Sequence, residues 1–132
     1  MRIGTLKSLT VMVALLAACW GCGTSAGAKA SLIPVKGKVT YKGKPLAQGR
    51  VTFESQDSRK RATGKLQADG TFVMSTYQEG DGVAAGEHSV IISDVDNTLA
   101  RDRAFKKYMF RSYGALTAHV TPDNTDFPFD LQ

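Results

Sequence analysis

The stretch Val35-Lys36-Gly37-Lys38-Val39-Thr40-Tyr41-Lys42-Gly43-Lys44-Pro45-Leu46-Ala47-Gln48-Gly49-Arg50-Val51-Thr52-Phe53 decides the fold class. Val35, Val39 and Tyr41 fall on one parity around Gly37, while Lys36, Lys38, Thr40 and Lys42 fall on the other. Side chains alternate faces along a strand, so one face is apolar and the other cationic and hydrated. Gly43, Lys44 and Pro45 break the run, and Gly49 restarts it with Val51 and Phe53 on the inward parity. The pattern predicts a strand, a short turn and a returning strand, that is, a hairpin. A lone hairpin is marginal in water, so a further layer must cover its apolar face.

The residues downstream supply candidates for that layer. Residues 56–60 are polar and charged and read as a loop, followed by a weaker strand over 62–67. Ala68-Asp69-Gly70 is a hairpin signal, because Asp-Gly supplies the positive φ angles of a tight turn. A returning strand is expected over 71–76, with Phe72 and Met74 on one parity. A glycine-rich loop spans 79–86, and Val90, Ile91 and Ile92 mark a strand over 87–95. Leu116, Ala118 and Val120 share one side of a strand over 116–121. Phe127, Phe129 and Leu131 alternate with Pro128 and Asp130 at the close, and Pro128, which has no N–H to donate, places that strand at a sheet edge. The exception is 97–112, where Leu99, Phe105, Tyr108 and Met109 suggest one face of a short helix. About seven short strands at roughly ten-residue spacing predict an all-β protein, a β-sandwich.

The N-terminal segment carries the address. Arg2 and Lys7 precede an uncharged run from Ser8 to Cys22 that is strongly apolar from Leu9 to Ala18. That is the form of a secretory signal peptide, about half the length a membrane-spanning helix needs. Leu16-Ala17-Ala18-Cys19 resembles a bacterial lipobox, in which small residues precede a Cys that is acylated and becomes the new N-terminus. Cys22 is the alternative acylation site. Cys19 and Cys22 also form a C-x-x-C pair, but no βαβ pattern surrounds it, as a thioredoxin-like redox site requires. Residues 1–18 are thus expected to be a lipoprotein signal peptide, 19–33 an acylated Cys and flexible tether, and 34–132 one folded domain. The chain is cationic, with a formal charge of +5, and a cut before Cys19 would remove Arg2 and Lys7 from that balance. No Cys lies within 34–132, so no disulfide framework is expected there.

Several of these stretches resemble a known family. The run from Val35 to Leu46 resembles the opening of carboxypeptidase regulatory-like (transthyretin-like) domains, a Val-x-Gly-x-Val strand followed by a Gly-x-Pro-Leu turn. The stretch from Gly64 to Phe72 is similar to their next signature, a Gly, a strand and Asp-Gly-x-Phe. Ala85-Gly86-Glu87-His88-Ser89-Val90 looks like their Gly-rich turn into a β-branched strand, although the position of His88 is often aromatic in the family. The close, from Gly114 to Val120 and from Phe127 to Leu131, is similar to the C-terminal strand pair of small bacterial lipoproteins with this domain. The resemblance implies a seven-stranded, prealbumin-type sandwich, attached by lipid to the extracytoplasmic side of the cell envelope. It also implies a non-catalytic module.

The residues themselves offer little chemistry. His88 has the parity of Val90 and Ile92, His119 the opposite parity to Val120, and neither has a metal partner at ligand spacing. Glu79 and Asp81 are two hard carboxylates in a glycine-rich loop, short of any EF-hand pattern. Neither a Gly-x-Ser-x-Gly elbow nor a phosphate loop is present, so no enzyme, metal or cofactor is expected. What stands out is a cationic connection: Arg101, Arg103, Lys106, Lys107 and Arg111, opposed there by Asp102 alone and interleaved with Phe105, Tyr108, Phe110 and Tyr113. The signal peptide argues against nucleic acid as the partner. Outside the cytoplasm such a cluster fits anionic lipid headgroups or acidic glycans, unless it is simply a solvated loop. The functional expectation is an envelope-anchored domain with a structural or surface-binding role. A carbohydrate or small-ligand binding module is the alternative, and a hydrolase has no paired acid and base to support it.

Overall fold

The computed structural model describes residues 31–132. The expected signal segment and both cysteines, Cys19 and Cys22, lie outside the described residues. The described residues form ten strands: β1 (Leu32–Ile33), β2 (Lys36–Tyr41), β3 (Lys44–Pro45), β4 (Arg50–Ser55), β5 (Arg61–Lys65), β6 (Thr71–Val73), β7 (Val83–Ala84), β8 (Gly86–Ser93), β9 (Thr117–Val120) and β10 (Asp126–Leu131). Helices α1 (Asn97–Arg101) and α2 (Arg103–Met109) and a 3-10 turn (Arg111–Tyr113) lie between β8 and β9. The fold is all-β. Each of the seven expected strand segments contains a strand, and β1, β3 and β7, of two residues each, were not foreseen.

Two four-stranded sheets make the body. One runs β5-β4-β8-β9, and the other runs β10-β2-β3, with β6 also pairing β2. The parity read from the sequence is the buried one: Gly37, Val39 and Tyr41 point inward from β2 while Lys36 and Lys38 are exposed. Phe53 of β4 joins the layers. Its ring meets Phe72, Phe127 and Phe129 of the facing sheet edge-on, at centroid distances of 6.5, 5.6 and 6.2 Å. Burying each such ring is worth about 1.5–3 kcal/mol. At Gly37 the aromatic layer packs tightly on the backbone: a Cβ there would strike the Phe127 carbonyl and the Phe72 ring. The buried apolar side chains form one cluster running from Val35 to Leu131, so residues 31–132 carry their own core.

The strand positions were legible, but two pairings were not. The opening stretch is not one hairpin of two long strands. Lys42 and Gly43, with φ of 49° and 81°, turn the chain, and only Lys44 and Pro45 return against Tyr41 and Thr40. The chain then crosses, and β4 enters the other sheet between β5 and β8. The two halves of the stretch are therefore the two layers, and they cover each other. Likewise Asp69-Gly70 makes the expected tight turn, with Gly70 at φ 82° and Thr71 donating to the Asp69 carboxylate, but β5 and β6 belong to different sheets. In both places local turn chemistry fixes a reversal, while the core decides which layer receives the strand.

Other expectations hold. β10 pairs with β2 alone, in parallel, so Pro128 sits in an edge strand. Leu32 and Ile33, assigned above to the tether, instead pair with Ala84 and Val83 as β1 and β7, and Ile33 packs against the core. Two apolar residues before a proline are too short a run to announce a strand.

Candidate anionic-partner surface

The basic connection is built on two capping carboxylates. Asp96 accepts from the Leu99 N–H at 2.9 Å and starts α1. Asp102 ends α1 and starts α2, accepting from the Ala104 N–H at 2.9 Å. An N-cap carboxylate satisfies an orphan backbone donor and offsets the helix dipole. Asp102 also accepts from the Tyr41 hydroxyl at 2.7 Å and lies 3.6 Å from Lys42 Nζ. The Tyr41 hydrogen bond, then the Ala104 N–H, hold the Asp102 carboxyl below the usual carboxylate range. The same bond raises the Tyr41 phenol. The one acid set among the cations in sequence is therefore turned toward β2.

Phe105 and Tyr108, three apart, bury one face of α2. Phe105 is fully buried and meets Tyr41 edge-on at 5.2 Å. The Tyr108 hydroxyl donates to the Gln132 carbonyl at 3.3 Å, pinning the helix to the end of β10. Burial of that face leaves Arg103, Lys106 and Lys107 outside, at helical spacings of three and four that place them together. These three and Arg101 are exposed, and none of the four forms an ion pair among the described residues. Lys107 Nζ rests 4.8 Å from the Tyr108 ring centre.

Arg111 differs from the expectation of a free cation. Its guanidinium donates to Glu54 Oε1 at 2.5 Å, and Arg61 Nε lies 3.5 Å from Glu54 Oε2. Glu54, on β4, is only 6% exposed although its parity is opposite to Phe53. A buried carboxylate needs such partners, because an isolated charge in a poorly solvated place is costly. Sequence reasoning missed Glu54, whose only signal was an acidic residue next to Phe53 near the end of an alternating strand. Beside Arg111, Phe110 and Tyr113 are 53% and 64% exposed and meet edge-on at 6.2 Å.

The remaining candidates have structural uses. His88 is buried against Phe53, and its Nε2–H donates to the Ala84 carbonyl at 2.8 Å. Its Nδ1 is buried without a hydrogen-bond partner among the described residues. His119 is exposed as its parity required, but its Nδ1 lies 2.7 Å from Glu87 Oε1, a partner brought opposite by the β8–β9 register rather than by sequence spacing. The Asp81 carboxylate staples its loop, accepting the N–H groups of Thr76, Tyr77 and Gln78 at 2.7, 2.9 and 2.8 Å. Partial burial works against its charge, and those N–H groups outweigh it and lower the Asp81 pKa. Among the described residues no group of three or more His, Cys, Asp or Glu is placed to hold a metal ion. No described helix is long and apolar enough to cross a membrane. An open cleft of about 660 Å³ follows the seam between β5 and β6, with Arg50, Thr63, Thr71 and Glu79 on its walls.

Comparison of the chain with protein-family models, with curated proteins and with solved structures found no match.

Proposed function

We propose that this chain is a non-catalytic, lipid-anchored domain of the bacterial cell envelope, holding an anionic partner through the connection between β8 and β9. The anchor reading rests on the lipobox-like Leu16-Ala17-Ala18-Cys19, with Cys19 acylated and Cys22 as the alternative. The finer fold reading is a carboxypeptidase regulatory-like, transthyretin-like sandwich, supported by the motifs around Val35, Gly64 and Gly86 and by two packed sheets. The observation that carries the contact reading is the disposition of α1 and α2. Arg101, Arg103, Lys106 and Lys107 are exposed and form no ion pair among the described residues, while Asp102 is engaged by Tyr41 and Lys42. A lipid anchor would keep such a face at high local concentration near anionic groups, so weak contacts suffice.

Mass spectrometry of the envelope fraction tests the anchor. A mature chain beginning at acylated Cys19 is expected, and a full-length chain with a free Cys19 thiol refutes it. Binding of residues 31–132 to anionic vesicles or acidic polymer at low salt tests the contact. Binding should fall as salt rises, and absence of binding at low salt refutes the contact.

A second reading is a carbohydrate or small-ligand module. The cleft between β5 and β6 favours it, because Arg50 and Glu79 line it together with two threonines. A glycan array decides it: a specific sugar bound by residues 31–132 and lost in Arg50→Ala would place function there.

A further inference from the structure

The fold brings a second basic segment beside Arg111, at the end of the helical connection. Arg59, Lys60 and Arg61 stand at the β4–β5 turn and the start of β5, all three exposed, about forty residues before the helical connection in sequence. Arg61 and Arg111 both reach the carboxylate of Glu54, one at each oxygen. That shared, buried carboxylate fixes the turn beside the 3-10 segment. Glu54 is thereby consumed internally, so Arg59 and Lys60 add uncompensated charge: neither forms an ion pair among the described residues. Phe110 and Tyr113 flank Arg111 and present two exposed, mutually packed rings at the junction.

We infer that the turn and the helical connection form one bipartite face that docks on the surface of an anionic phospholipid bilayer. This rests on the reading of the connection as an anionic-contact face. Charge alone fits an acidic polymer as well as a membrane. The exposed aromatic pair decides between them. Rings with an apolar body and, for Tyr113, a polar tip belong at the level of lipid headgroups, where part of the ring leaves water. A hydrated polymer offers them no such medium. The cations on either side hold the face down through headgroup phosphates, and Phe110 and Tyr113 enter between them.

Residues 31–132, which carry a complete core, are assayed by sedimentation with phosphatidylglycerol-containing vesicles, with phosphatidylcholine vesicles, and by binding to polygalacturonate. Each cation near an anionic surface is worth about fivefold in partitioning. Arg59→Gln with Lys60→Gln should lower partitioning onto anionic vesicles about 25-fold on that basis. Phe110→Ser with Tyr113→Ser should weaken vesicle binding and leave any polymer binding unchanged. Both variants must keep the β-rich circular-dichroism spectrum, and neither touches Glu54 or the core. If the turn variant binds vesicles like wild type, while neutralising Arg101, Arg103, Lys106 and Lys107 abolishes binding, the bipartite face is overturned and the simpler contact reading stands. If wild type binds polygalacturonate more tightly than vesicles, and the aromatic variant binds vesicles as wild type does, the lipid assignment is overturned. If wild type binds neither, both readings fail together.

Discussion

Glu54 sets the geometry of the basic face more than any cation on it. One buried carboxylate holds Arg61 and Arg111 and so ties the β4–β5 turn to the 3-10 segment. Glu54→Gln keeps the size but removes the charge. Both arginines are roughly half exposed or more, so the loss is discounted for solvent, and about 1–2 kcal/mol of stability should disappear. The urea midpoint measures it, and an unchanged midpoint would show that the two ion pairs add nothing. Asp81 gives a second, pH-dependent effect. Its carboxyl has a lower pKa in the fold than in the unfolded chain. Its contribution is therefore present above the unfolded value of about 4 and is lost as pH falls through the folded value. The wild-type protein should lose stability across that acid window, and Asp81→Asn should lower stability at neutral pH and flatten the acid dependence. Parallel acid profiles for the two proteins would contradict the stapling role.

The helical connection shows how much of an element is readable and where reading stops. Its apolar face was legible over Phe105, Tyr108 and Met109, which recur at helical spacing on α2, where Phe105 and Tyr108 are buried and Met109 is half-buried, whereas Leu99, expected on the same helix, belongs to the separate α1 because Asp102 ends one helix and starts the next. Its attachment was not. Asp102 looked like a counter-ion to its arginine neighbours, but a hydroxyl 61 residues away takes its carboxylate. Strand parity was legible for the same reason as the helix face, since alternation is local. The partner of each strand was not, because Lys42-Gly43 and Asp69-Gly70 reverse the chain without stating which sheet receives it. Removing the Tyr41 hydroxyl should loosen α2 selectively. In Tyr41→Phe the amides of Arg103–Met109 should exchange faster, while those of β4 and β8 keep their protection. Equal exchange in both proteins would mean that Phe105 and Tyr108 alone fix the helix.

The two sheets and the aromatic layer between them make a body whose inside is explained by packing. The all-β body was foreseeable from short runs of alternating residues separated by glycine turns. Residues 31–132 alone should give a β-rich far-ultraviolet spectrum with little helix, and a predominantly helical spectrum would contradict the fold. The proposed composite face was not foreseeable, because its halves lie about forty residues apart in sequence and share a carboxylate, Glu54, that only the fold brings to both. The central claim is that this face, on an anchored chain, lies against an anionic surface. Hydrogen–deuterium exchange of the full lipidated chain in bilayers with and without phosphatidylglycerol tests it most directly. Slower exchange on anionic bilayers is expected, confined to residues 55–61 and 101–113 and reversed by high salt. Identical exchange in both bilayers, or protection falling instead on the cleft between β5 and β6, would contradict it.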